Sequence, residues 1–323
     1  MSLKLGTALL FFSLLTISLS AQKRNKEPRA GELSAQAIER LHAAEDTLAL
    51  LAYAVVNDSV EQVRFGACRT LITTLVRALK TENSFRYRFD RLKSLSILAP
   101  PDSSFRIFTW QLFVNDSTYR YYGAIQMNRP NLVLHALKDR SRDVGDEAVY
   151  QRFAPDNWYG ALYYSLRPFD TKTGRQYMLM GFNGLEFFNK RKVVEVLSFD
   201  PSGKPVFGSP VFLREKPLAM PEQRLVLEYS AEASVRCNWD EQYQMVLFDH
   251  LIQIPSAYGR GFTAVPDGSY DGLKWEKTGQ WKFVSKVFND VMTEEFRPEP
   301  VLDKKPEKGR DVNGNPVKRK KGQ

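Results

Sequence analysis

The β-sheet character of this chain is clearest in FRIFTWQLFVNDSTYRYYGAIQ, residues 105–126. The first ten positions are rich in aromatic and β-branched residues, and a second run of this kind begins at Thr118. Between them stands the polar triplet Asn115-Asp116-Ser117. Two such runs joined by a short polar segment predict a β-hairpin, and similar units continue to residue 284, giving roughly ten strands.

The chain before this stretch has a different period. Within the segment 32–56, apolar residues recur at gaps of three, four and seven, as expected for one face of a helix. They are Ile38, Leu41, Leu48, Leu51 and Val55. A polar break at residues 57–59 precedes a second helical pattern that runs to about residue 80. The short connection predicts an antiparallel helical hairpin.

These patterns predict an α+β protein. The helical segment covers residues 31–93, and a mainly antiparallel β domain, a sandwich or a curled sheet, covers residues 94–302. We expect a disordered leader over residues 22–30 and a disordered basic tail over residues 303–323.

The N-terminus predicts export. A lysine at position 4 precedes an apolar run from Leu5 to Leu19, and the small residues Ser20 and Ala21 follow it. This is the pattern of a secretory signal peptide over residues 1–21, and no later stretch is long and apolar enough to cross a membrane. We expect a periplasmic protein, with an extracellular location as the alternative.

The net charge of +9 resides at the ends of the chain. Residues 31–302 carry 33 basic and 33 acidic side chains, so the folded body is neutral. A nucleic-acid groove on that body is therefore not expected. The two cysteines, Cys68 and Cys237, have no CxxC spacing, and their pairing in a disulfide is left open.

Catalytic motifs are absent from the sequence. HExxH, GxSxG, a Walker loop and CxxC are all missing, so an enzyme is not favoured and no cofactor is expected. His250 follows Asp249 at the end of an apolar strand, which makes these two the catalytic candidates. Neighbours on a strand point to opposite faces, however, so Asp249 would not orient His250.

The segment PDGSYDG, residues 266–272, contains two Asp-Gly pairs. Asp267 and Asp271 are candidate ligands for a calcium ion, since calcium prefers oxygen ligands. The EF-hand pattern is not met, and Asp-Gly is common in turns. A turn is therefore favoured over a metal site.

Aromatic residues are concentrated in the β half. Trp158, Tyr159 and Tyr229 are candidates for binding a ligand, because exposed rings on a sheet can stack on sugars. Packing in the core is the favoured alternative, since strands commonly bury aromatic pairs.

Five stretches carry a resemblance to a known group of proteins: LSAQ (19–22), FRIFTWQ (105–111), EYSAEAS (228–234), FDHL (248–251) and DGSYDG (267–272). With these residues the chain resembles a family of secreted proteins from the Bacteroidota. The resemblance implies an envelope location in a cell with two membranes. It brings no established activity and no site residue.

The sequence as a whole favours a binding or interaction module of the cell envelope, with an envelope protein or a glycan as the partner. One alternative is a hydrolase acting on envelope glycan or peptide. Another is a structural subunit of an envelope complex, docked through the helical hairpin. The ligand and the oligomeric state are left open.

Overall fold

The computed structural model describes residues 31–115, 118–214, 220–256, 259 and 261–288. The predicted signal peptide, leader and basic tail lie outside these residues, as do residues 289–302. Among the helices that are described, none is both long and apolar enough to cross a membrane.

The predicted helical hairpin is confirmed. It consists of α1 (Ala35–Asn57) and α2 (Glu61–Leu79). The Ser34 hydroxyl accepts a hydrogen bond from the Ala37 amide at 3.1 Å and so caps α1. The connection is held by Arg64, which donates to the carbonyls of Asp58 and Ser59 and, at 2.8 Å, to that of Phe113 in the β domain.

A first sheet follows the helices. Its strands are β1 (Ser96–Leu98), β2 (Phe105–Asn115), β3 (Thr118–Met127) and β4 (Leu134–Lys138). They lie in sequence order, each antiparallel to the next. The hairpin predicted from residues 105–126 is the β2–β3 pair, in which Phe108 faces Ala124.

The later strands form two more sheets. They are β5 (Leu162–Thr171), β6 (Gly174–Asn183), β7 (Asn189–Phe199), β8 (Pro205–Phe207), β9 (Phe212–Leu213), β10 (Arg224–Ser230), β11 (Cys237–Asp240), β12 (Met245–Pro255), β13 (Phe262–Trp275) and β14 (Trp281–Val284). The middle sheet has the order β10-β7-β6-β5 with β8 beside β7, and the outer sheet has the order β11-β12-β13-β14-β9. β9 and β14 are parallel, and the other strand pairs are antiparallel.

The elements stack in four layers: helices, first sheet, middle sheet, outer sheet. Strand β2 shows why, because both of its faces are apolar. Phe108, Trp110 and Leu112 pack against the helices, while Phe105 and Ile107 pack against the middle sheet. The opposite face of the middle sheet packs on the outer sheet through apolar side chains of both. Three apolar cores between four layers give the α+β class that the sequence predicts.

The two cysteines occupy different cores. Cys68 is buried between the helices and the first sheet, and Cys237 is buried between the middle and outer sheets. Both thiols are free. No disulfide joins the helical segment to the β domain; packing of apolar side chains and hydrogen bonds such as that from Arg64 to the Phe113 carbonyl hold the two together.

Candidate ligand-binding cleft

A groove of about 520 Å³ lies between the segment after α2 and the starts of β1 and β2. The apolar part of its lining comes from Phe85, Phe89, Leu92, Leu95 and Ile97; Phe85 and Ile97 are partly exposed, and the other three are buried. Arg88, Asp90, Lys93, Ala99, Ser103 and Arg106 complete the lining. We call this groove the Arg106 cleft. Small-molecule sites are usually concave and combine apolar side chains with a few polar groups.

The wall of the cleft is an irregular segment. A short 3₁₀ turn, Ser84–Arg86, follows α2, and the flanking Asn83 and Phe89 have left-handed backbone angles, with φ of 58° and 56°. Such angles are unfavourable for residues with side chains and need support from their surroundings. The Phe89 ring has this support, since it is buried and packs edge-on against Tyr87 with 4.9 Å between ring centroids.

Glu45 on α1 anchors this segment. Its buried carboxylate accepts hydrogen bonds from the Tyr87 hydroxyl at 2.6 Å, from the Arg91 amide at 2.7 Å and from the Arg91 guanidinium at 3.1 Å. Burial raises the pKa of Glu45, but these hydrogen bonds outweigh it, so the pKa lies below its usual value. Burial, together with the Glu45 carboxylate, raises the pKa of Tyr87 to about 12.

Arg106 lies at the base of the cleft with 4% of its surface exposed. Its Nε donates to Gln126 Oε1 at 2.8 Å, and its two terminal nitrogens donate to the carbonyls of Tyr87 at 2.5 Å and Ser84 at 3.1 Å. The Gln126 amide is held in turn, because its nitrogen donates to the Ser84 hydroxyl at 3.0 Å. The guanidinium therefore has a fixed position.

Aromatic rings surround the same guanidinium. Its carbon lies 5.3 Å from the Phe85 ring centroid, 5.1 Å from that of Phe89 and 4.9 Å from that of Phe108. Cation–π contacts of this kind partly replace hydration. Burial nevertheless lowers the pKa of Arg106 to about 9, so the group is still a cation at neutral pH. Arg106 is thus a desolvated positive charge in the lining of the groove.

The structure brings together His250, Asp267 and Asp271, three candidates from the sequence. The segment PDGSYDG does not form a simple turn but lies inside β13. Asp249 pairs with Tyr270 and Leu251 with Pro266, so three residues of β13 bulge out opposite His250. A bulge re-aims side chains. Here His250 Nδ1 lies 2.9 Å from Asp271 and its Nε2 lies 4.0 Å from Asp267.

Asp249 is separate from this cluster, as its place next to His250 on the strand requires. Its buried carboxylate accepts a hydrogen bond from the Arg236 amide at 2.7 Å, which ties the approach to β11 onto β12. Nor is Ser269 aligned as a nucleophile on His250, because its hydroxyl donates to Asp267 at 2.6 Å.

The metal prediction gains no support. Within the part of the chain that the structure describes, no group of three or more His, Cys, Asp or Glu side chains is arranged to hold a metal ion. Both carboxylates have other partners: Asp267 accepts from the Ser269 amide and hydroxyl, and Asp271 accepts from the Lys286 amide at 3.0 Å. Hydrogen bonds within the bulge account for these two residues.

The three candidate aromatic residues are in the core. Trp158, Tyr159 and Tyr229 are each at most 4% exposed, so they present no ring face to a ligand from solvent. Trp158 donates to the Tyr163 hydroxyl at 2.8 Å, and Tyr159 accepts from Arg191 at 3.0 Å. Trp158 and Tyr159 lie in the core between the first and middle sheets, and Tyr229 is buried on β10, so the structure has the core packing that the sequence favoured over ligand binding.

Arg106 was missed by sequence reasoning, although a signal was available. It stands between Phe105 and Ile107 in a run, residues 105–114, whose other polar residues are the uncharged Thr109 and Gln111. Because both faces of β2 are covered, a charged residue there must be buried. The polar partners that hold it, Gln126 and the carbonyl of Tyr87, come from β3 and from the irregular segment, and their proximity is set by the fold.

Comparisons of the chain with protein-family models, with curated proteins and with solved structures found no match. The geometry of the cleft is therefore the ground for a functional proposal.

Proposed function

We propose that this protein is an exported binding protein of the cell envelope and that its ligand occupies the Arg106 cleft. The observation that carries the proposal is the cleft itself. It combines partly exposed apolar side chains, a volume of about 520 Å³ and one fixed buried cation. Export is supported by the signal-peptide pattern of residues 1–21.

A blocked cleft tests this proposal. The probe is N-phenylnaphthylamine, an uncharged dye whose fluorescence rises in an apolar site. Ala99 lines the cleft with its side chain exposed, so Ala99→Trp adds a large ring inside the groove without disturbing a packed core. The matched control is Thr278→Trp, which adds the same ring to an exposed turn of the outer sheet.

We expect the wild-type protein and Thr278→Trp to bind the dye with equal affinity and Ala99→Trp to bind it weakly or not at all. Equal binding by all three proteins would place the dye elsewhere and contradict the proposal.

The hydrolase alternative has one observation in its favour, the histidine held between Asp267 and Asp271. Replacing it tests that alternative directly. If His250→Ala keeps the fold but abolishes hydrolysis of peptidoglycan fragments, the bulge on β13 is a catalytic site. We expect no hydrolysis by either protein, because Ser269 is bound to Asp267 and not to His250.

A further inference from the structure

Resting on the proposed function, we infer that the ligand of the Arg106 cleft is an amphiphilic carboxylate, whose charged group binds Arg106 and whose apolar body lies on the aromatic and aliphatic walls. The charge of Arg106, its remaining hydrogen-bond donors and the side chains around it point to this ligand.

The charge of Arg106 has no counter-ion in the described part of the chain. No carboxylate oxygen there lies within 4.0 Å of its guanidinium, and desolvation is the sole cause of its lowered pKa. Burying an unpaired charge is costly, and a carboxylate partner relieves that cost. The comparison with Arg224 is direct, since that equally buried guanidinium is paired with Glu195 at 3.1 Å.

Arg64 shows the other way to bury a guanidinium. It also lacks a carboxylate, but it makes four hydrogen bonds to backbone carbonyls and closes the helical hairpin. Its role is structural, and it is not part of the lining of the Arg106 cleft. Arg106 differs in both respects, because it has fewer acceptors and it lines a groove.

Two of the five N–H groups of Arg106 have no acceptor among the described residues. Three are used by Gln126, Tyr87 and Ser84, and each terminal nitrogen, having two hydrogens and one acceptor, keeps one hydrogen. A carboxylate can accept from both terminal nitrogens of one guanidinium. The number and kind of the remaining donors therefore match a single carboxylate.

Part of the groove suits an apolar group of the ligand. Phe85 and Ile97 are partly exposed and supply this apolar surface, whereas Phe89, Leu92 and Leu95 are buried. At the rim, Asp90 is 3.4 Å from Arg88, which leaves the exposed Lys93 to add positive potential at the entrance. A basic entrance attracts anions, and the exposed surface of Phe85 and Ile97 can bind the apolar part of the ligand.

Matched pairs of ligands test the inference. Decanoate and decanol share an apolar chain and differ in charge, and each is titrated against N-phenylnaphthylamine bound to the wild-type protein. Trileucine with a free carboxyl terminus and its amide form a second pair, which distinguishes a peptide end from a fatty acid as the source of the carboxylate. The same titrations are made with Arg106→Gln and with Lys277→Gln, a control on an exposed turn of the outer sheet.

We expect at least one carboxylate to displace the dye at about tenfold lower concentration than its neutral partner, as loss of a charge-assisted hydrogen bond predicts. This preference should persist in Lys277→Gln and disappear in Arg106→Gln. If the Arg106 variant does not fold, the comparison within each pair on the wild-type protein still decides the question.

Equal displacement by the charged and neutral members of both pairs would overturn the inference while leaving a binding cleft in place. Dye binding that is insensitive to Ala99→Trp would remove the proposed function, and the inference with it.

Discussion

Glu195 is the carboxylate that compensates the buried guanidinium of Arg224. Both side chains are fully buried, and Glu195 also accepts a hydrogen bond from the Tyr163 hydroxyl. Burial and the neighbouring carboxylate raise the pKa of Tyr163 well above its usual value, which keeps this hydroxyl a donor. The network therefore depends on the charge of Glu195.

Glu195→Gln tests that dependence, because it removes the charge and keeps the volume. We expect it to lower the free energy of unfolding by about 3–5 kcal/mol, the usual cost of leaving one buried charge unpaired. Urea denaturation measures the change. The control is Glu228→Gln, whose partner Arg191 lies 2.7 Å away but whose own side chain is 42% exposed, so its loss should cost at most about 1 kcal/mol. Similar losses for the two variants would contradict this account.

The carboxylate of Glu45 makes stability depend on pH. Its pKa in the folded protein lies below the ordinary value of 4.5, so its contribution is present above pH 4.5 and is lost as the pH falls through the folded-state pKa. We expect Glu45→Gln to be less stable than wild type at neutral pH and the difference to narrow in acid. Urea midpoints measured across this range provide the test, with Glu39→Gln on the exposed face of α1 as control. If the difference in stability between the wild-type protein and Glu45→Gln stayed constant with pH, this explanation would be contradicted.

Single residues also show which contacts could be predicted from the sequence and which could not. The spacing rule that separates Asp249 from His250 is confirmed, since their side chains have different partners. The approach of Asp271 to His250 was not foreseen, because it depends on a bulge that the Asp-Gly pairs alone do not define. The burial of Trp158 follows from a second sheet covering its face, which is a property of the whole fold.

At the scale of elements, glycines in α2 and β3 show opposite constraints. A Cβ at Gly66 on the exposed side of α2 would meet nothing within 4 Å, whereas a Cβ at Gly123 in β3 would lie 2.9 Å from the Phe108 carbonyl oxygen and 3.0 Å from a Leu137 methyl group. The first glycine weakens a helix, and the second permits close packing of strands.

Gly66→Ala should therefore stabilise the protein by about 0.5–1 kcal/mol, because alanine is the better helix former. Gly123→Ala should destabilise it, by about 1–3 kcal/mol, because backbone and core must shift to admit the methyl group. Thermal unfolding of the two variants and of the wild-type protein shows whether each substitution raises or lowers stability. A stabilising Gly123→Ala would show that the β2–β3 pair is looser than described.

Elements were predicted most accurately where their periodicity is strong. The helices and the β2–β3 hairpin were found within a few residues, because their apolar patterns extend over several turns or repeats. Only the end of the long strand β13, from Leu273, was predicted as a strand. Its glycines and aspartates are typical of turns, and a strand forms there because β12 supplies a partner along its length.

At the scale of the whole molecule, the layers place the two thiols in separate cores. Burial raises the pKa of Cys68, and burial raises that of Cys237 to about 12, so neither is a reactive thiolate in the folded protein. Because they lie in separate cores, Cys68 and Cys237 do not form the disulfide that the sequence left open.

We expect both cysteines to resist iodoacetamide in the native protein and both to react in urea without any reductant. Intact mass measures the number of adducts. A protein that gains adducts in urea only after reduction would contain a disulfide, and the separation of the helical core from the outer core would be wrong.

The central claim concerns the place at which a ligand binds, and amide chemical shifts test it most directly. The measurement is a titration of the isotopically labelled protein with decanoate, followed by amide spectra and by the Nε–H resonance of Arg106. We predict shifts concentrated in residues 85–99 and at Arg106, with the outer sheet unaffected. Shifts concentrated elsewhere, or none at concentrations that displace the dye, would contradict the assignment of the Arg106 cleft as the binding site.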